Sequence, residues 1–281
     1  MGALDPKNRR NLALRVGSAV VLFPVAVWLT VVGGVPFAGL AGAAAAVAAS
    51  ELVLMFGAIG AAEALGIAVA GAIPLMAAFG RSGQLLPGWS GLALAAATVG
   101  VMIVFLFRRA PLEQVPRALS IVVLAWLYCG VLIASLVGLR DRFDVAWVIV
   151  AFVASWANDT LAYFAGHAFG KHRLYERISP KKTWEGFAGG LVGSVAGVLA
   201  VLWLLHPRAL GPGGAVVVGL GAGVLGPLGD LSESMIKRAA GVKDSGRIIP
   251  GHGGLLDRID ALLFVAPWVY LCAAWMERAP L

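Results

Sequence analysis

The 281-residue chain is 60% hydrophobic and only 13% charged, with a net charge of +7 and a mean hydropathy of +0.88. Soluble domains carry about 25% charged residues, so this composition excludes an ordinary soluble protein. Basic loops beside apolar runs of bilayer length make anionic lipid, rather than nucleic acid, the counterpart of the excess positive charge.

Apolar runs of about 20 residues recur along the chain, each long enough to cross a hydrocarbon core as a helix. They predict an all-α, polytopic integral membrane protein with about nine transmembrane helices and a cytoplasmic N-terminus. In chain order the spans fall near 16–34, 37–56, 59–79, 91–107, 118–138, 145–169, 187–206, 213–232 and 255–276. The first follows Lys7, Arg9, Arg10 and Arg15 and is too long for a signal-peptide core, so it reads as an uncleaved span. Little more than Gly57 separates the second from the third, and residues 41–49 form an Ala-rich surface suited to close helix packing in lipid. Cys129 and Cys272 lie inside apolar runs and read as inert packing residues. With the N-terminus inside, the inner segments hold 17 of the 22 basic residues, leaving Arg81, Arg140, Arg142, Arg208 and Arg278 outside.

Three polar clusters interrupt the oil. The sixth span contains Asn158-Asp159, and an intramembrane aspartate costs about 2.5–3.5 kcal/mol on insertion scales. It must face a partner or a cavity, as a contact locking two helices or as a group that holds a cation. The second cluster is Ser179-Pro180-Lys181-Lys182-Thr183-Trp184-Glu185-Gly186. Ser179 reads as a helix N-cap with Pro180 at the first position. Lys181 and Lys182 would then reinforce the positive end of a helix dipole, a place for phosphate. Taken alone, the run reads more readily as a basic turn that sets topology than as a phosphate site.

The third cluster begins at Asp230. A helix continued past Leu231 places Asp230, Glu233, Ser234 and Lys237 on one polar face. Asp257 and Asp260, three residues apart, project from one side of the last helix. Asp230, Asp257 and Asp260 can thus converge from neighbouring helices on a divalent cation, and hard oxygen ligands suit Mg²⁺ together with substrate phosphates. Gly251, Gly253 and Gly254 around His252 would let backbone N–H groups approach an anion closely.

The run Ser234-x-x-Lys237-Arg238, four residues, Lys243-Asp244, then Pro250-x-His252-Gly253-Gly254-x-x-Asp257-Arg258-x-Asp260 resembles, without departure, the signature of the phosphatidate cytidylyltransferases, also called CDP-diacylglycerol synthases. Asn158-Asp159-x-x-Ala162-Tyr163-Phe164-x-Gly166 and Ser179-Pro180-Lys181-Lys182-Thr183-x-Glu185-Gly186 are also similar to that family. The likeness covers roughly 155–265, whereas the first half shares only hydropathy.

The resemblance implies that CTP and phosphatidate give CDP-diacylglycerol and pyrophosphate. It also implies dependence on Mg²⁺, with a second cation (Mg²⁺ or K⁺), and a homodimer. The metal ligands would be Asp230, Asp257, Asp260 and Asp159. Lys237, Arg238, Lys243, Asp244, His252 and Arg258 would serve catalysis. Ser179, Lys181, Lys182, Thr183, Ser234, Gly253 and Gly254 would bind substrate. Residues 1–140 are then scaffold, lipid access and dimer contacts. Residues 141–281 are the catalytic region, with loops 170–186 and 233–258 on the cytoplasmic face of a bacterial-type inner membrane. A CTP-dependent lipid-alcohol kinase would use similar parts. A cation-coupled transporter would use Asp159 and Glu63. Glu51 and Glu63 have no role in the transferase reading.

Overall fold

The structure is a computed structural model that describes residues 20, 23–57, 60–81, 89–108, 111–248 and 253–278. His252, Pro250, Gly251 and the basic residues of the N-terminal segment lie outside the described residues. The first helices are α1 (Phe23–Val32), α2 (Gly34–Phe56), α3 (Ala61–Arg81) and α4 (Trp89–Leu106). A continuous rod follows, running from a 3₁₀ turn at Leu112–Gln114 through α5 (Val115–Leu124) and a π-helical stretch at Ala125–Val131 into α6 (Leu132–Arg142). Next come α7 (Val145–Phe169), a hairpin of β1 (Arg173–Tyr175) and β2 (Ser179–Thr183), α8 (Trp184–Leu205), α9 (Pro212–Ala239) and α10 (Leu256–Arg278). Counting the rod as one, 7 of the described helices are long and apolar enough to cross a membrane, while α1 and α4 are shorter apolar helices. Large apolar side chains such as Trp28, Leu106, Trp203 and Trp275 stand exposed on the outside of the bundle, as lipid-facing positions do.

α7 lies along α8, α8 along α9 and α9 along α10, with α2 packed on α3. The α7–α8 seam is made close by small residues. A Cβ added at Gly189 would sit 2.9 Å from the Leu161 carbonyl, and one at Gly193 would sit 3.0 Å from Leu161 Cβ. Cys129 and Cys272 are buried free thiols, as packing residues should be.

Asn158 takes the first of the two roles foreseen for the pair, a contact that locks helices together. Pro227 lies inside α9, and a proline lacks the N–H that would satisfy the carbonyl four residues earlier. That carbonyl belongs to Gly223, and it accepts instead from Asn158 Nδ2 at 3.2 Å. The same amide donates to Ser194 Oγ at 3.2 Å, and Ser194 Oγ donates to the Ala154 carbonyl at 2.9 Å. One buried asparagine therefore ties α7, α8 and α9, each such bond contributing about 0.6 and at most about 1.7 kcal/mol in a membrane protein.

The two ends of the bundle differ in chemistry. At one end Arg140 donates to the carbonyls of Thr30 (2.7 Å) and Val31 (2.6 Å), Trp147 Nε1 to that of Arg208 (3.0 Å), and Arg142 pairs with Glu277. Arg140, Arg142 and Arg208, three of the arginines expected outside, lie at this end. The opposite end holds the β-hairpin, the C-terminus of α9 and the N-terminus of α10.

Candidate active site

The hairpin corrects one sequence expectation. Ser179 does not cap a helix; it lies in β2, with Tyr175 opposite it and Arg173 opposite Thr183. A two-stranded ladder has only edges, which is where proline is tolerated, so Pro180 sits in the strand instead of opening a helix. The cap is Thr183, extended at φ −127° and ψ 157°, whose hydroxyl accepts from Gly186 N–H at 3.1 Å. Glu185 in the first turn of α8 accepts from the N–H groups of Lys171 (3.1 Å) and His172 (3.3 Å) and holds the hairpin to the helix. Lys181 and Lys182 therefore stand on a strand just before α8. Lys181 is exposed, whereas Lys182 crosses to α9, reaching Asp230 Oδ2 at 2.7 Å and the Pro227 carbonyl at 3.2 Å.

Helix α9 does continue past Leu231, to Ala239, and presents the expected polar face. Glu233 is fully buried and paired with Lys237, whose ammonium also meets Asp257 Oδ1 at 2.6 Å. Among the described residues Glu233 Oε1 has no hydrogen-bond partner. Ser234 Oγ donates to Asp230 Oδ1 at 3.3 Å. Gly229 lets α10 approach, since a Cβ there would lie 2.6 Å from the Asp260 carbonyl. Asp260 thus sits in the field of both Asp230 and Asp159, and Asp159 in that of Asp230. The three polar clusters of the sequence meet at one end of the bundle.

The connection from α9 to α10 is held by two carboxylates. Asp257 Oδ2 accepts from Ser245 N (3.0 Å), Ser245 Oγ (2.9 Å) and Gly254 N (3.2 Å). Glu51 of α2 accepts from Ser245 Oγ (3.3 Å), Leu255 N (3.0 Å) and Leu256 N (2.8 Å). The glycine-rich turn, foreseen as a cradle for substrate phosphate, here directs its Gly254 N–H to the protein's own Asp257. Gly253 takes a left-handed φ of 86° that favours glycine. Arg238 is exposed and donates to the Val242 carbonyl at 3.1 Å. Lys243, Asp244, Arg247 and Arg258 are also exposed. Glu63 pairs with Arg108 at 2.5 Å and accepts from Gly60 N–H at 3.1 Å, away from the cluster.

A cavity of about 560 Å³ opens beside the cluster, bounded by α7, the hairpin, α8 and α9. Asp159, Asp230, Lys181, Lys182 and Arg173 supply its polar wall, and Tyr163 and Phe187 part of its apolar wall. A second cavity of about 420 Å³, near Arg108 and Arg117, contains none of the signature residues. Sequence reasoning passed over Arg173, which has no motif around it, and Ser245. Asp159, Asp230 and Asp260 supply hard oxygen donors of the type a divalent cation takes. Among the described residues no group of three acidic, histidine or cysteine side chains stands placed to hold a metal ion.

These features define a polytopic helical membrane protein whose cation- and carboxylate-lined cavity, at one end of the bundle, suits phosphorylated substrates. The chain belongs to the cytidylyltransferase family, whose sequence profile matches residues 13–276. It is 34% identical over 290 aligned residues, 94% of each chain, to a phosphatidate cytidylyltransferase of Brucella abortus (strain 9-941). It is 43% identical over 156 residues to that of Bacillus subtilis (strain 168), spanning 54% of this chain and 57% of the relative. With the Haemophilus influenzae enzyme of the same name it shares 43% over 126 residues, 43% of each chain.

Proposed function

We propose that the protein transfers the cytidylyl group of CTP to phosphatidate, giving CDP-diacylglycerol and pyrophosphate. The observation that carries this reading is the meeting of Lys182 from the hairpin with Asp230 of α9, beside Asp260, at a cavity lined by charged and apolar side chains. A phosphate oxygen of phosphatidate, already anionic, forms the new bond to the α-phosphorus of CTP. The bond from that phosphorus to the bridging oxygen of the β-phosphate breaks, and pyrophosphate leaves with the electron pair. No strong base is required.

The difficulty is bringing two polyanions together, and the cavity wall answers it with cations. Lys181, Lys182 and Arg173 face the phosphates, the arginine suited to bidentate contact. Ser234, bonded to Asp230, and Ser179 of the hairpin would serve as hydrogen-bond donors. Lys237, held between Glu233 and Asp257, keeps a positive charge beneath the carboxylate cluster. Arg238, Lys243 and Arg258 form an exposed basic rim that attracts the triphosphate. Asp159, Asp230 and Asp260 would hold Mg²⁺, and Asp257 would join them only by exchanging Lys237 for the metal. When bound, the ion supplies charge neutralisation at the α-phosphate and the leaving group.

The kinase and transporter readings are not favoured, because the family and its relatives are cytidylyltransferases. Bacterial relatives, and the position of Arg140, Arg142 and Arg208 at the end away from the signature residues, support a cytoplasmic membrane with the site facing the cytoplasm. The homodimer follows from the family resemblance. The test is purified protein with labelled CTP, phosphatidate and Mg²⁺. Labelled liponucleotide with release of pyrophosphate is expected, and release of CDP with a phosphorylated lipid would overturn the reading.

A further inference from the structure

Glu51 lies in the last turns of α2 and is 1% exposed. A carboxylate so buried needs donors. Those it finds, Ser245 Oγ, Leu255 N–H and Leu256 N–H, all belong to the connection that leads into α10. The first N–H groups of any helix lack partners within it. Here the partner for the start of α10 comes from a helix in the other half of the chain.

The fit around this carboxylate is close. A Cβ on Gly246 would lie 2.5 Å from Glu51 Oε1, and one on Gly254 would lie 2.9 Å from Glu51 Oε2. The Ser245 hydroxyl sits between Glu51 Oε2 (3.3 Å) and Asp257 Oδ2 (2.9 Å). Asp257 in turn holds Lys237 through its other oxygen. A continuous path of polar contacts thus runs from α2 to the centre of the carboxylate cluster.

We propose that Glu51 is a positioning residue for cytidylyl transfer. It seats the connection between α9 and α10 so that Asp257 stays on Lys237 and Asp260 stays beside Asp230. Its kinetic consequence rests on the transferase reading, while its structural consequence stands on the contacts alone.

Glu51→Gln keeps the shape but replaces one accepting oxygen with a donor. In purified full-length protein it should lower kcat on the order of 10²-fold, the size expected of a misplaced catalytic group, with the KM for CTP changed far less. Amide exchange at Leu255 and Leu256 should accelerate, and Glu51→Asp should recover part of kcat. Glu63→Gln is the control, since it disturbs another buried carboxylate of the same half without contact to the site. It should lower the melting temperature and leave kcat intact. Wild-type kcat and unchanged exchange in Glu51→Gln would overturn the proposal. So would a loss of kcat that Glu63→Gln reproduces at an equal fall in melting temperature. If Glu51→Gln does not accumulate, Gly246→Ala, which presses a methyl against Oε1, is read in the same way. If the wild-type protein makes no liponucleotide, the transferase reading falls, and exchange at Leu255 and Leu256 still decides whether Glu51 holds the connection.

Discussion

Lys182 and Asp230 stand 2.7 Å apart, one on the hairpin between α7 and α8 and the other in the C-terminal third of α9. Their pairing closes the cavity on its polar side and brings two signature stretches together. Lys182→Met should weaken substrate binding about 10- to 100-fold, the range for losing one hydrogen bond to a charged group. The KM values for CTP and phosphatidate, measured separately, show which phosphate Lys182 holds. Unchanged constants would return the hairpin lysines to a role in topology.

Asp260 is flanked by Asp230 and Asp159. If these carboxylates share a cation, Asp260→Asn should lower turnover on the order of 10²-fold or more. It should also shift the Mg²⁺ activation curve to higher concentration. Near-normal activity at an unshifted curve would remove Asp260 from the metal site.

Asp257 meets Lys237, Ser245 and Gly254 at once. Asp257→Asn should lower turnover by a comparable factor and also open the connection before α10 to protease. Digestion of the variant at the wild-type rate would show that Asp257 does not hold that connection.

Treatment with a chelator should abolish product formation, and added Mg²⁺ should restore it. Labelled pyrophosphate and liponucleotide should disappear and return together. Product formation that survives exhaustive chelation would exclude the cation from the reaction.

Thr183→Ala removes the cap of α8 and should cost about 1 kcal/mol of stability, read as a lower melting temperature in detergent. Thr183→Ser should retain most of it. Gly193→Val forces a branched side chain into the α7–α8 seam, where Leu161 Cβ lies 3.0 Å from the position of the new carbon. Overpacking of this kind costs about 1–3 kcal/mol, and a wild-type melting temperature would show that the seam yields freely.

What could be read from the residues follows their range of interaction. The polar face of Asp230, Glu233, Ser234 and Lys237 was legible because helical period alone places those positions together. The gathering of three distant clusters was legible because spans cross in alternation, which fixes the end of the bundle each cluster reaches. Ser179 misled because its local capping signal was genuine, while the competing partner, the strand at Arg173–Tyr175, is a tertiary feature. Asn158 and Asp159 differ by one residue and point to different neighbours, a matter of helix rotation that hydropathy does not report. Pro227 did carry a usable signal, since a proline inside a span leaves a carbonyl in want of a donor. Glu51, a carboxylate inside a span, announced the need for a partner but not which one, since its partners lie some two hundred positions away.

That long reach bears on how the protein can be divided. Hydropathy suggests a cut near residue 140, with apolar scaffold before it and every signature motif after it. Yet the fragment after the cut would begin α10 with amide groups facing a vacant place where α2 belonged. The motif-bearing half is therefore not a portable cassette, and transplanting it onto a foreign membrane anchor would carry the chemistry without the clamp that aims it.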